Sequence, residues 1–296
     1  MDASWINGVI PPLVTPVDAE ENVDEQGLRT VVDYVLAGGV HGLLSLGSNG
    51  EFYGLDHERQ ERAVAITLDQ TAGRVPVYMG IGAITTKECV KLARMGERLG
   101  VQALTVLPPM FLTPSEEELY RHFAAIAEAT SLPVLLYNNP DRVGNNISVR
   151  LLGRLSDIPN IAGIKDSSGD LTLTAEYIRT TRHKNFRVMA GRDVMILGSL
   201  AYGAAGCVAS TANIVPSLVV DIYNKFKAGD LAGALEAQFT LAPLRMAFNL
   251  ASFPVVTKEA MQLMGLPVGE PILPNTACTG ENRGKLKGIL QEMGVL

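Results

Sequence analysis

Eight short apolar runs, each followed by a stretch with helical spacing, predict an α/β chain built as a (β/α)8 TIM barrel with a helical C-terminal appendage. Three observations carry the prediction. The runs start roughly every 20 to 35 residues and fill about the first 230 positions, the length eight βα units need. No break in composition divides them, which favours a closed ring over an open doubly wound sheet. From Asp230 onward the strand signal stops, and the remainder reads as helices punctuated by Pro243, Pro254 and Pro267. The expected division is residues 1–229 for the barrel and 230–296 for the helical region.

The elements follow in order. "GVIPPLVTP" is the first strand candidate. Leu28, Val31, Val32, Val35 and Leu36 then recur at i, i+3, i+4, i+7 and i+8, one apolar helix stripe that begins near Asp24 and ends at Gly38-Gly39. "HGLLSLG" leads to a charged helix opening at Asp56. "VPVYMGIG" leads to a helix that Thr85 and Glu88 start as a capping box and Gly100 ends. "QALTVLPP" leads to another, with Thr113, Pro114 and Glu116 in the N-cap, N1 and N3 roles. "PVLLYNNP", "NIAGIK", "FRVMAG" and "GCVAS" complete the eight.

Composition narrows the function. The 296 residues are 47% hydrophobic and 19% charged, with a formal net charge of −6 and no basic block, so there is no electrostatic footprint for nucleic acid. No apolar stretch approaches the length that spans a bilayer, and the N-terminus lacks the pattern of a signal peptide. Cys89, Cys207 and Cys278 are odd in number and scattered, which argues for a reducing compartment, the cytoplasm. His41, His57, His122 and His183 show no ligand spacing, so no metal and no cofactor are expected. "GIGAIT" lacks the third glycine of a dinucleotide loop, and "GSNGE" lacks the lysine of a nucleotide phosphate loop. Met and Phe in "RMAFNLASF" read as core or oligomer packing.

A barrel places its reactive groups at the C-terminal ends of its strands. Those ends read Thr15, "GSNGE" 47–51, "LPPMF" 107–111, "YNNPDR" 137–142, Lys165, "GRD" 191–193 and "VAST" 208–211. Lysine, tyrosine and small hydroxyls therefore converge on one rim. Lys165 ends an apolar run, and two readings fit it: a strand-end lysine in solvent, or a nucleophile. In the second, apolar surroundings disfavour the ammonium, and the free amine attacks a carbonyl to form a Schiff base. Tyr137, relayed by a serine, would shuttle protons. Ser48, Asn49 and the backbone N–H groups of the "GSNGE" turn would hold the carboxylate of a 2-oxo acid.

With "GVIPPLVTPV", "GSNGE", "YNNP", "GIKDSSGD" and "MGLPVGEPILP" in this order, the chain resembles, nearly end to end, the family of hydroxytetrahydrodipicolinate synthase and N-acetylneuraminate lyase, pyruvate-dependent class I aldolases on a (β/α)8 barrel. The resemblance implies Lys165 as the Schiff-base lysine, Tyr137 as the proton carrier and Ser48 as its hydroxyl neighbour. It implies Ser48 and Asn49 on the pyruvyl carboxylate, and the Val208 carbonyl facing the nucleophile. Gly191 and Arg192, after strand 7, fall where family members contact the aldehyde half, and Arg142 stands where the synthases receive the carboxylate of aspartate semialdehyde.

The substrates it implies are pyruvate and an aldehyde, with an acidic distal group suggested by the two arginines. The expected activity is formation or cleavage of a 4-hydroxy-2-oxo or 2-keto-3-deoxy acid. The synthase reaction, a dehydratase and a non-catalytic pyruvate-binding paralogue stand as alternatives. The segment after strand 4 departs from the synthases: Met110 and Phe111 stand where they place a tyrosine that enters a neighbouring subunit's proton relay. Ile84 replaces an expected asparagine beside His57 and Glu88, which implies little inhibition by lysine. "GRDVM" lacks the acidic pair of the sialic-acid lyases. The resemblance implies a homo-oligomer, tetramer or dimer.

Overall fold

All eight expected strands form. A computed structural model describes residues 2–296 and places β1 at Gly8–Val9, β2 at Leu43–Ser45, β3 at Val77–Ile81, β4 at Ala103–Val106, β5 at Val134–Asn138, β6 at Ile161–Asp166, β7 at Arg187–Ala190 and β8 at Gly206–Cys207. They belong to one sheet in the order β1-β8-β7-β6-β5-β4-β3-β2, and each pair from β3 to β8 is parallel. Beyond β1, Pro12 makes a parallel bridge with Leu44 of β2. Strands β3 to β6 are buried along their whole length, which is why they read as unbroken apolar runs and do not alternate.

The helices are α1 Glu25–Ala37, α2 His57–Thr71, α3 Thr86–Leu99, α4 Glu116–Glu128, α5 Pro140–Val143, α6 Val149–Leu155, α7 Leu171–Thr181, α8 Ile196–Tyr202, α9 Pro216–Lys227, α10 Leu231–Ala247, α11 Val255–Leu263 and α12 Gly280–Glu292. The chain clusters into two compact units. One holds the residues up to Gly8 with Tyr78–Val208, the other Val9–Val77 with Ala209–Leu296.

Local chemistry sets the helix starts. Asp24, Asp56 and Thr85 are N-caps, each accepting a backbone N–H three residues on, and Gly100 ends α3 in the left-handed conformation. The start of α4 differs from expectation. Ser115, not Thr113, is the N-cap, and a full capping box joins it to Glu118. The shift of two residues gathers Glu116, Glu117 and Glu118 into the first turn, where the helix dipole favours acids. Pro243 also departs from its expected role: it lies inside α10 and does not end it. Its missing N–H leaves the Phe239 carbonyl without its helical partner, and both residues are exposed, so water can take that place.

The α10 helix is apolar on two faces. Ala234, Ala237, Leu241 and Leu244 are buried, while Leu231, Leu235, Phe239 and Met246 are exposed. Among the described residues, no single helix is long and apolar enough to cross a membrane.

Candidate active site

The register of two strands builds the centre of the first unit. β5 and β6 pair so that Tyr137 lies opposite Lys165 and Asn138 opposite Asp166. Side chains alternate along a strand, so these two pairs project to opposite faces. On the first face the Lys165 Nζ sits 3.9 Å from the centroid of the Tyr137 ring. Lys165 is only 4% exposed, so the reading of a strand-end lysine in solvent does not hold. Among the described residues no carboxylate forms an ion pair with it. The Tyr137 hydroxyl accepts a hydrogen bond from Asn139 Nδ2 at 2.9 Å, which orients the ring.

On the second face Asp166 fixes β6 from behind. Its buried carboxylate accepts from Asn138 Nδ2 (3.1 Å), from the Ser168 N–H and hydroxyl (3.1 Å each) and from Thr174 Oγ1 (2.6 Å). Asn138 in turn accepts the Ile147 N–H at 2.9 Å. The residue that precedes Asp166 is therefore held on a backbone secured by charge-assisted bonds.

At the end of β7, Gly191 donates its N–H to the Asp166 carbonyl at 2.7 Å, and its own carbonyl accepts from Ser167 Oγ at 3.2 Å. A Cβ at 191 would lie 2.1 Å from Ser167 Oγ and 2.7 Å from that carbonyl, so only glycine fits. Arg192 is engaged on two sides: Nε donates to the Ser167 carbonyl at 2.8 Å, and the guanidinium forms an ion pair with Asp141. Arg142, on α5, is exposed. Val208 is buried, and its N–H donates to the Ala190 carbonyl at 2.8 Å.

The second unit holds the "GSNGE" turn. Residues 48–50 form a 3-10 turn, flanked by two non-glycine residues with positive φ, Leu46 at 56° and Glu51 at 50°. Such backbone persists only where its surroundings over-determine it. Ser48 is half-buried and Asn49 is buried. The Asn49 side chain is engaged at both its nitrogen, which donates to Ser210 Oγ at 2.7 Å, and its oxygen, which accepts from Thr257 Oγ1 at 3.1 Å. Thr15 Oγ1 donates to the Gly50 carbonyl at 2.9 Å. As the opening residues of the turn, Ser48 and Asn49 have N–H groups without an intrahelical acceptor.

Within the first unit, a buried amine with a phenol against it has the chemistry of carbonyl addition; the second unit, taken by itself, offers a turn with N–H groups. The sequence model of the dihydrodipicolinate synthetase family matches residues 5–293. The chain belongs to that family. It is 38% identical over 289 residues to a 4-hydroxy-tetrahydrodipicolinate synthase of Phenylobacterium zucineum, covering 98% of each chain. It is 36% identical over 289 residues to the enzyme of that name from Methanothrix thermoacetophila, covering 98% of this chain and 97% of the relative. Among solved structures it is similar to YagE, a prophage protein of the dihydrodipicolinic acid synthase family from E. coli K12 in complex with pyruvate. That match has a TM-score of 0.94 and 30% identity and covers 98% and 99% of the two chains. The chain is thus a family enzyme of the carbon–carbon lyase class, as the resemblance implied.

Sequence reasoning missed four supporting groups. Asp166 stood in the quoted motif without a role. Ser210 was visible at the end of strand 8. Thr257 and Lys258 gave no signal, because both lie in the helical region and their partners are some two hundred residues away.

Proposed function

We propose that the chain is a Schiff-base-forming, pyruvate-dependent lyase in which Lys165 is the nucleophile. The observation that carries this reading is the burial of Lys165 beside the Tyr137 ring without a carboxylate partner. The free amine adds to C2 of pyruvate, and the carbinolamine loses water to give an iminium. Loss of a proton from C3 gives an enamine, whose C3 forms the new bond to the aldehyde carbon; water then releases the product and the amine. Tyr137 carries the protons of imine formation and hydrolysis, with Ser48 as hydroxyl neighbour. The N–H groups at the 48–50 turn receive the pyruvyl carboxylate, and the Val208 carbonyl faces the nucleophile.

Two substrate classes fit this chemistry: an acidic 4-hydroxy-2-oxo or 2-keto-3-deoxy acid in the cleavage direction, and aspartate semialdehyde as acceptor in the direction of synthesis. The engagement of Arg192 by Asp141 weakens the argument from two arginines. The relatives' names and the exposed Arg142 support the synthase reaction. The chain further reads as a (β/α)8 barrel over residues 1–229 with a helical region over 230–296, in a cytoplasmic homo-oligomer. Three cysteines without disulfides support that compartment.

Borohydride reduction in the presence of pyruvate, read by intact mass, tests the chemistry: the wild-type protein should retain the pyruvyl group, and Lys165→Ala should not. Persistent trapping at this site in the alanine variant refutes the assignment. Turnover with aspartate semialdehyde at about 1 per second or more, followed with a coupled reductase, makes the enzyme a synthase. A live imine without such turnover moves the assignment to the acidic 2-oxo acids. Lysine added to that assay should inhibit little.

A further inference from the structure

The turn that opens toward the carboxylate is gripped from behind by the C-terminal helical region. Lys258 and Glu51 are both fully buried, and Nζ lies 2.6 Å from Oε2 in an ion pair set off the hydrogen-bond direction. The ammonium also donates to the Glu270 carbonyl at 2.9 Å, and Glu51 Oε1 accepts the Ile272 N–H at 2.8 Å. The neighbouring residue on α11, Thr257, donates to Asn49 at 3.1 Å. Two consecutive residues of one helix thus hold positions 49 and 51 of the turn. On its other side α11 is anchored by Glu259, also buried, which pairs with Arg283 of α12 and accepts the Cys278 N–H at 2.9 Å.

A buried ion pair gains little stability over an apolar pair of the same volume, so stability does not explain its presence. What it supplies is direction. Glu51 adopts a left-handed conformation unfavourable for a side-chain-bearing residue, and in that conformation its N–H donates to the Ser48 carbonyl at 3.3 Å and closes the turn. Every partner of its carboxylate comes from α11 or the segment that follows, and together they fix one position. We infer that Lys258 and Thr257 are positioning residues for the pyruvyl carboxylate, acting through Glu51 and Asn49, so that the C-terminal region sets the enzyme's affinity for 2-oxo acids. The inference rests on the reading of turn 48–50 as the carboxylate site.

The test compares Lys258→Met and Thr257→Val with the wild type. It reads three quantities: the pyruvate concentration for half-maximal borohydride trapping, the amount trapped at saturation, and amide hydrogen exchange over residues 47–51. The half-saturating concentration should rise about tenfold in Lys258→Met and about threefold in Thr257→Val, with trapping at saturation retained and faster exchange confined to the turn and α11. Folded variants with wild-type half-saturation overturn the inference and leave the pair a purely structural role. If Lys258→Met fails to fold, Thr257→Val decides, since it removes one hydroxyl and keeps the shape. If wild-type protein is not trapped by pyruvate, the proposed function fails. The exchange data then decide the positioning role alone: faster exchange at 47–51 in Thr257→Val supports it, and unchanged exchange overturns it.

Discussion

Lys165 and Tyr137 face each other across adjacent parallel strands, in register, with the amine 3.9 Å from the ring centroid. Two buried, paired strands hold that geometry, so amine and phenol keep their separation without help from a loop. Removing the phenol oxygen should therefore slow proton transfer and leave the amine in place. Tyr137→Phe is expected to lower turnover by about 100-fold or more while borohydride still traps pyruvate on Lys165. An unchanged rate would assign the proton to another group. Asn139 loses an acceptor in this variant, and its stability should fall by only about 1 kcal/mol.

Gly191 closes the contact between the ends of β6 and β7. A methyl group there meets Ser167 Oγ and the Asp166 carbonyl well inside contact distance. Gly191→Ala should cost about 1–3 kcal/mol in urea denaturation, because the backbone beside Lys165 has to shift. Adding Ser167→Ala relieves the closer clash and leaves the carbonyl, so the double variant should recover part of the loss. Full recovery would show that the backbone contact is soft.

His122 carries a pH dependence that belongs to the fold. It is buried in α4 with Thr86 Oγ1 2.9 Å from Nδ1, and burial pushes its pKa down to about 4. Between that value and the unfolded value near 6.5, the unfolded chain binds the proton and the folded protein does not. The contribution is thus fully present above about pH 6.5 and is lost as pH falls toward 4, for a total of about 3 kcal/mol. Urea midpoints at pH 7 and pH 5 should differ less in His122→Gln than in wild type. Some slope will remain, since burial lowers the His41 pKa as well. Equal slopes in the two proteins would place the titration elsewhere.

What the sequence disclosed follows the range of the interactions. The N-caps Asp24, Asp56 and Thr85 act over three residues and were legible, as were the eight strands, whose apolar runs need no partner to be seen. At α4 the sequence pointed to Thr113 as the cap, and the closed box of Ser115 with Glu118 moves the start two residues on. The helix α11 was the least legible. "VVTKEAM" looks like a helix with a polar face, yet Thr257, Lys258 and Glu259 are all buried. Their partners Asn49, Glu51 and Arg283 come from other elements, so no periodicity in the local sequence marks them as interior. Arg192 shows the same limit: its position after β7 was visible, but its pairing with Asp141, 51 residues earlier, was not.

That pairing separates the two arginines. Asp141 and Arg142 are neighbours on α5, and the aspartate compensates the charge of Arg192 while the Ser167 carbonyl holds its Nε. A carboxylate entering from the aldehyde side must compete with Asp141 for Arg192, whereas Arg142 stands exposed to solvent on α5. The Arg142→Ala variant should therefore raise the half-saturating concentration of an acidic aldehyde by about 10- to 100-fold, the loss of a charge-assisted contact, with pyruvate trapping unchanged. Arg192→Ala should change it by no more than about threefold, because the contact it loses is already satisfied within the protein. Steady-state kinetics with aspartate semialdehyde and with an acidic 2-oxo acid check both. Equal losses in the two variants would mean that the Asp141 pair opens when substrate binds, and Asp141→Asn would then tighten binding by freeing Arg192.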